Sequence, residues 1–325
     1  MKKVNLFKSI LVAVVAVMSF SCSDDETGRV SNTITDIASR NADFSILVEA
    51  LVKADLAATL DSEGSFTVFA PTNTAFTSFL NANGFSSLDD VPPALLKEVL
   101  LNHVVLGSLQ AAQLTNGYVS TLATGSASSS ATLSMYVDVR NGVKLNGVSN
   151  VTPGGANIIA SNGVIHVVDA VIGLPTIVTF ATADPNFSTL VTALTTLTPA
   201  TDFVSVLNRT NGGNGDGINP PFTVFAPIND AFTDLNTELS GIGGIAALTE
   251  AQITSTLLYH VVGGANVRSN QIPAGPITTL ETGTFTISGT TITDERTRTS
   301  GIIAVDVQAT NGVIHAINKV ILPNF

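Results

Sequence analysis

FTVFAPTNTAF, residues 66–76, reads as a strand running into a helix, and FTVFAPINDAF, residues 222–232, repeats it almost letter for letter. The second copy starts 156 positions after the first (222 − 66), so one module is used twice. In an extended chain Phe66, Val68 and Ala70 share one face, while Thr67 and Phe69 share the other. Apolar groups on both faces predict a strand covered on both sides. Pro71 has no N–H and closes the ladder. A helix is predicted next, with Phe76, Phe79 and Leu80 at helical spacing and Phe232 and Leu235 in the second copy. Thr72 is replaced by Ile228, so the shared residues Asn73 and Asn229 are the expected N-caps.

Working outward, Phe44, Leu47, Val48 and Leu51 form a helical stripe with Asp43 placed to cap it, and Phe187, Leu190, Val191 and Leu194 repeat that stripe. A helix after Pro92-Pro93 carries Leu96, Val99, Leu100 and His103 on one side, matched by Ile253, Leu257 and His260. Asn141-Gly142 between apolar runs predicts a two-residue hairpin. The serine-rich run Ser126–Ser130 reads as a loop. Each copy ends on NGVIH, at 162–166 and 311–315, read as a tight turn into a final strand. The second copy is longer, chiefly in the glycine-rich stretch Asn208–Pro221, which reads as a mobile surface loop. It faintly echoes a calcium loop, but counting from Asn211 the twelfth position is Phe222, where such a loop needs glutamate.

The composition narrows the function. The 325 residues are 45% hydrophobic and 12% charged, with a formal net charge of −11. No basic cluster offsets that charge, so a phosphate backbone would be repelled and nucleic acid is not an expected partner. A single cysteine, Cys22, rules out an intramolecular disulfide framework. With no Trp and three Tyr, the chain is poor in stacking platforms for sugars.

Residues 1–21 combine Lys2, Lys3 and Lys8 with the apolar run Ile10–Phe20, the pattern of a secretory signal. With Cys22 after it, this stretch resembles a bacterial lipoprotein signal, which implies acylation of Cys22 and an acidic tether over 22–31. Membrane contact would then run only through the lipid anchor. An ordinary signal peptide with an incidental cysteine is the alternative. The acidic residues Asp24, Asp25 and Glu26 resemble an export signal, implying an outer-membrane lipoprotein exposed at the cell surface, with the periplasmic face as the alternative.

TVFAP-x-N-x-AF, a helix ending in His-Val-Val, and NGVIH follow in the same order in both halves. This combination resembles the fasciclin (FAS1) family over residues 32–175 and 176–325. The resemblance implies an α+β fold of two tandem FAS1-like domains, each a wedge-shaped β-sandwich with helices packed on one side. It also implies cell adhesion or contact with an extracellular protein or matrix. The family's Tyr-His adhesion motif matches Tyr259-His260. In the first copy Asn102 precedes His103, so a tyrosine-dependent contact is not implied there.

All four histidines, His103, His166, His260 and His315, sit in the repeated motifs. The expected role is structural, with Asn73 and Asn229 as partners in a buried His/Asn network. Each copy offers two histidines and no cysteine, short of a zinc set. There is no G-x-S-x-G and no phosphate-cradling glycine loop. No enzyme activity, metal or cofactor is therefore expected. The reading is a surface-anchored adhesion or interaction protein. The alternative is a periplasmic or surface binding protein for a small apolar or glycan ligand.

Overall fold

The structure, a computed structural model, describes residues 32–324. The expected signal, Cys22 and the acidic tether lie outside the described residues. From Asn32 onward the chain forms one compact unit containing two separate sheets, one per repeat.

The first repeat opens with α1 (Ile34–Arg40), α2 (Ser45–Lys53) and α3 (Ala57–Asp61), which precede β1 (Phe66–Pro71). α4 (Asn73–Ala82) and α5 (Pro93–Leu101) follow, then β2 (Val104–Leu106), β3 (Gly117–Gly125) and β4 (Ser128–Asp138). The short strands β5 (Lys144–Leu145), β6 (Ser149–Asn150) and β7 (Ile158–Ala160) lead to β8 (Gly163–Val168). The sheet order is β6-β5-β4-β3-β2-β1-β8-β7. The quoted strand β1 thus lies between β2, antiparallel to it, and β8, parallel to it with Phe66 opposite Gly163.

The second repeat follows the same plan. α6 (Ile177–Ala183), α7 (Ser188–Thr195) and α8 (Phe203–Leu207) precede β9 (Phe222–Pro227), and α9 (Asn229–Glu238) and α10 (Glu250–Tyr259) follow it. Then come β10 (Val261–Gly263), β11 (Ile277–Thr278), β12 (Thr284–Ser288), β13 (Thr291–Thr293), β14 (Thr299–Ala309) and β15 (Gly312–Ile317), in the order β10-β9-β15-β14-β13-β12-β11. β9 pairs with β15 in the register of β1 with β8, Phe222 opposite Gly312.

The two faces of the motif strand explain this architecture. Phe66, Val68 and Ala70 join the core under the helices, with Leu47, Phe76 and Leu100. Phe69 turns the other way, into a second core with Met135, Val137 and Ile172. Phe222, Val224 and Ala226 divide from Phe225 in the same manner. One strand with two apolar faces therefore joins a helical layer to a sandwich layer. Every residue of β1 and of β9 is buried.

The expected caps are corrected. Thr72 caps α4, its hydroxyl accepting the Ala75 N–H, while Ile228 at the corresponding place supplies no side-chain cap. Asn73 is already inside its helix, and its side chain works on a neighbouring one. Its Oδ1 accepts the Ile46 N–H at 3.0 Å, and its Nδ2 donates to Ala42 O at 2.9 Å. Asn229 treats Thr189 and Pro185 in the same way, at 2.9 and 2.8 Å. Asp43 is likewise not the cap of α2. Asn41 caps the short 3₁₀ turn before it.

Two turns also differ from expectation. The connection after Asp138 is longer than two residues, because Val137 and Asp138 pair with Leu145 and Lys144. The Arg140 guanidinium folds back to grip the Asp138 carboxylate. The serine run is no free loop, because β4 already begins at Ser128. The tip of the β3–β4 hairpin reaches the second repeat, where Ala127 N and Ser126 Oγ both donate to Thr310 O, at 2.8 and 2.9 Å. Nearby Gln308 N donates to Ser134 Oγ at 3.0 Å, buried between the repeats.

Candidate functional site

The four histidines of the repeated motifs, for which a structural role is expected, all lie inside. His103 follows the last turn of α5. Its Nδ1–H donates to Val99 O at 2.7 Å, and its Nε2 accepts the Ile172 N–H at 2.8 Å. His260 repeats this with Thr256 O at 2.7 Å and Ile321 N at 3.1 Å. Each ring thus ties a helix C-terminus to the segment that closes its repeat. Burial holds both imidazoles neutral, with pKa values lowered to about 4.

His166 and His315 belong to the NGVIH strands. Their Nε2–H groups donate to Leu109 O and Val267 O, at 2.8 and 2.9 Å. Their rings stack on Phe69 and Phe225, with centroids 5.5 and 5.3 Å apart. Burial also pushes these two pKa values down. The TVFAP strand and the NGVIH strand therefore meet ring to ring.

The expected histidine–asparagine pairing is corrected. Asn73 and Asn229 bond to the start of α2 and of α7, while the histidines find their partners in backbone groups. The backbone supplies the partners: Val99 O lies one turn before His103, in α5, and Phe69 N bonds to His103 O, which holds this residue against the motif strand.

The Tyr-His motif is also internal. Tyr259 is fully buried, and its OH donates to Thr284 O at 2.6 Å and accepts the Glu295 N–H at 3.2 Å. Its ring meets Phe285 edge-on at 5.9 Å. His260 is 2% exposed. In the first repeat His103 is equally enclosed, and Asn102 beside it donates to Gly173 O at 3.0 Å. None of these side chains offers surface to a macromolecule.

Sequence reading missed the work of Asn162 and Asn311, taken only as turn formers. Asn162 Oδ1 accepts the Ile34 N–H at 2.9 Å, and its Nδ2 donates to Leu60 O at 2.7 Å and Ser62 O at 2.9 Å. Asn311 binds Ile177, Leu207 and Arg209 in the same pattern. Their recurrence before a buried glycine was the available signal. Tyr118 and Asp184 were also missed. They meet between the repeats at 3.0 Å, with Tyr118 edge-on to Phe180 at 5.4 Å. Burial, reinforced by the Asp184 carboxylate, raises the Tyr118 pKa, and burial pushes Tyr136 up to about 12.

Among the described residues no three His, Cys, Asp or Glu side chains converge to hold a metal ion. In the glycine-rich loop the Asp216 carboxylate is taken by Arg209 at 2.7 Å. Among the described residues no helix is long and apolar enough to cross a membrane.

Comparison with known proteins agrees with this geometry. The chain matches the Fasciclin domain twice, over residues 42–175 and 185–323. Protein sll1483 of Synechocystis sp. is 42% identical over 141 residues, 43% of this chain and 72% of that protein. Human periostin is 29% identical over 274 residues, 82% of this chain but only 29% of periostin. In three dimensions the chain is similar to a FAS1 domain pair from the insect cell adhesion molecule fasciclin I. The TM-score is 0.53 at 19% identity, covering 84% of this chain and 95% of that one. With both copies matched and the twin sheets built on the same register, the chain belongs to the fasciclin-domain family and carries two such domains in tandem.

Proposed function

We propose that this protein is a surface-anchored adhesion or interaction module, held to the outer membrane by a lipid on Cys22 and turned toward the cell exterior. The observation that carries this reading is the docked pair of family domains whose histidines and Tyr259 are all engaged internally. With the reactive groups enclosed, contact falls to exposed loops, of which Asn208–Pro221 is the longest addition in the second domain. Fasciclin I, described as an insect cell adhesion molecule, supports the same use of a domain pair. The partner is an extracellular protein or matrix component, and no catalytic step is assigned.

Two experiments test this. Protease added to intact cells should clip the protein if it faces outward and leave it whole if it faces the periplasm. The purified chain should retain a matrix protein or polysaccharide in a pull-down, and deleting part of Asn208–Pro221 should weaken retention. Protection on intact cells together with no macromolecular retention would remove the proposal.

A further inference from the structure

The two domains differ in how well they fill the space around the second helix of each repeat. In the second domain a cavity of about 100 Å³ lies between α7, α9 and α10, lined by Ala193, Leu197, Phe232, Leu235, Ile253 and Leu257 among others. Its origin is legible residue by residue. Thr189 stands where the first domain has Ile46, since both donate their N–H to the motif asparagine. Leu235 stands 156 positions after Phe79 and takes its place. In the first domain Ile46 and Phe79 both pack against the core, so the second domain has lost an ethyl arm and an aromatic ring there.

A second space, about 50 Å³, lies on the other side of α7 and shares Pro227, Leu257 and His260 with the first. Its counterpart in the first domain is about 10 Å³ and is lined by matching residues, among them Leu51, Leu60 and His103. The stretch from α7 to α8 is also longer than its counterpart, 13 positions from Leu194 to Leu207 against 9 from Leu51 to Leu60. Leu194 is half-buried where Leu51 is buried.

Of the polar groups that line the larger cavity, the Thr192 and Thr256 hydroxyls and the His260 ring are engaged, while the Thr189 hydroxyl makes no bond. Thr192 and Thr256 hydroxyls donate to the carbonyls of Ser188 and Gln252 in their own helices. Both nitrogens of His260 are bonded, and its ring is held neutral. A charged guest would find no counter-charge there, and one with several hydrogen-bonding groups would leave most of them unpaired and lose their hydration. Apolar cavities of this kind stay dry, and one of about 150 Å³ binds benzene or xenon.

We propose that the second domain binds a small, uncharged, apolar molecule in the cavity between α7, α9 and α10, and that the first domain does not. Leu197, 38% exposed, joins the cavity wall to the surface and marks the side from which such a guest enters. The site is distinct from the Asn208–Pro221 loop, because no residue of that loop lines it.

The probes are benzene and xenon, added to the full chain. Saturable benzene binding should raise the melting temperature, and methyl resonances of Ala193 and Leu257 should shift while those of Ala50 and Leu100 do not. Thr189→Ile with Leu235→Phe, which restores the first domain's residues, should remove the benzene effect and raise the melting temperature of the unliganded protein. No saturable response to either probe would overturn the proposal, as would binding that survives in the filled variant. If the double variant does not fold, the wild-type methyl shifts decide. Shifts confined to Ala193 and Leu257 support the site, and shifts elsewhere reject it.

Discussion

The side chain of Asn73 caps a helix to which it does not belong, its Oδ1 accepting the Ile46 N–H across 27 residues of sequence at 3.0 Å. The same amide donates to Ala42 O, so one side chain fixes both the entry and the first turn of α2. α2 has no side-chain cap from its own N-cap residue, Phe44, and depends on this one. Asn73→Ala should therefore cost about 1–2 kcal/mol in urea unfolding, as should Asn229→Ala. Thr72→Ala, removing the local cap of α4, should cost about 1 kcal/mol. An Asn73→Ala protein as stable as wild type would refute the cross-helix cap.

Gly163 and Gly312 are required by approach rather than by turn geometry. A Cβ at Gly163 would stand 2.0 Å from Phe66 O, and one at Gly312 would stand 2.1 Å from Phe222 O. Both contacts fall on the parallel pairing between the motif strand and the last strand. The two nearest atoms at each site are backbone atoms of the motif strand, so the strands must part. Gly163→Ala and Gly312→Ala should each cost about 3 kcal/mol or more, the upper end of the overpacking range. Circular dichroism with urea titration reads this directly, and a loss near zero would contradict the register.

These cases show what was legible in the sequence. The faces of Phe66-Thr67-Val68-Phe69-Ala70 follow from the two-residue period of a strand, a local rule. Repetition then gave the domain plan, since NGVIH and TVFAP each occur twice. The target of Asn73 was hidden, because a cap read from sequence is assigned to the nearest helix. The docking of Ser126 on Thr310 spans 184 residues and has no local signature. Tyr259 likewise looks available on its helix, and only the arrival of Phe285 from β12 and Glu295 from the turn after β13 encloses it.

The contact between the domains makes its own prediction. Tyr118 OH donates to the buried Asp184, whose other oxygen accepts Asn186 N. Tyr118→Phe keeps the ring against Phe180 but removes that donor. The expected loss is about 1–3 kcal/mol, because a buried carboxylate is left short of a partner. Ser134→Ala, which strands the Gln308 N–H, should act in the same direction. Calorimetry should show one transition for wild type and two for Tyr118→Ala combined with Ser134→Ala. A wild type that already melts in two steps would mean the domains are not thermodynamically coupled.

Acid should loosen the protein through His103 and His260. Their folded pKa values are lowered to about 4, mainly by burial, against about 6.5 in an unfolded chain. Between these values the unfolded chain takes up protons that the fold refuses. The stabilising contribution is therefore fully present above pH 6.5 and is lost as pH falls from 6.5 toward 4. The shift corresponds to about 3 kcal/mol per histidine by pH 4. Asp138 acts in a separate, lower window. The Arg140 guanidinium holds its pKa at about 2, so its contribution disappears only below about pH 4. His260→Leu should lower stability at pH 7 by about 1–3 kcal/mol, because the Thr256 carbonyl and the Ile321 N–H lose their partner. The same variant should flatten the decline between pH 6.5 and 4 by less than half, since His103, His166 and His315 still titrate. Urea midpoints measured at half-unit steps of pH give both quantities. A wild-type stability that stays level from pH 7 to pH 4.5 would show that the two rings are not held neutral by the fold.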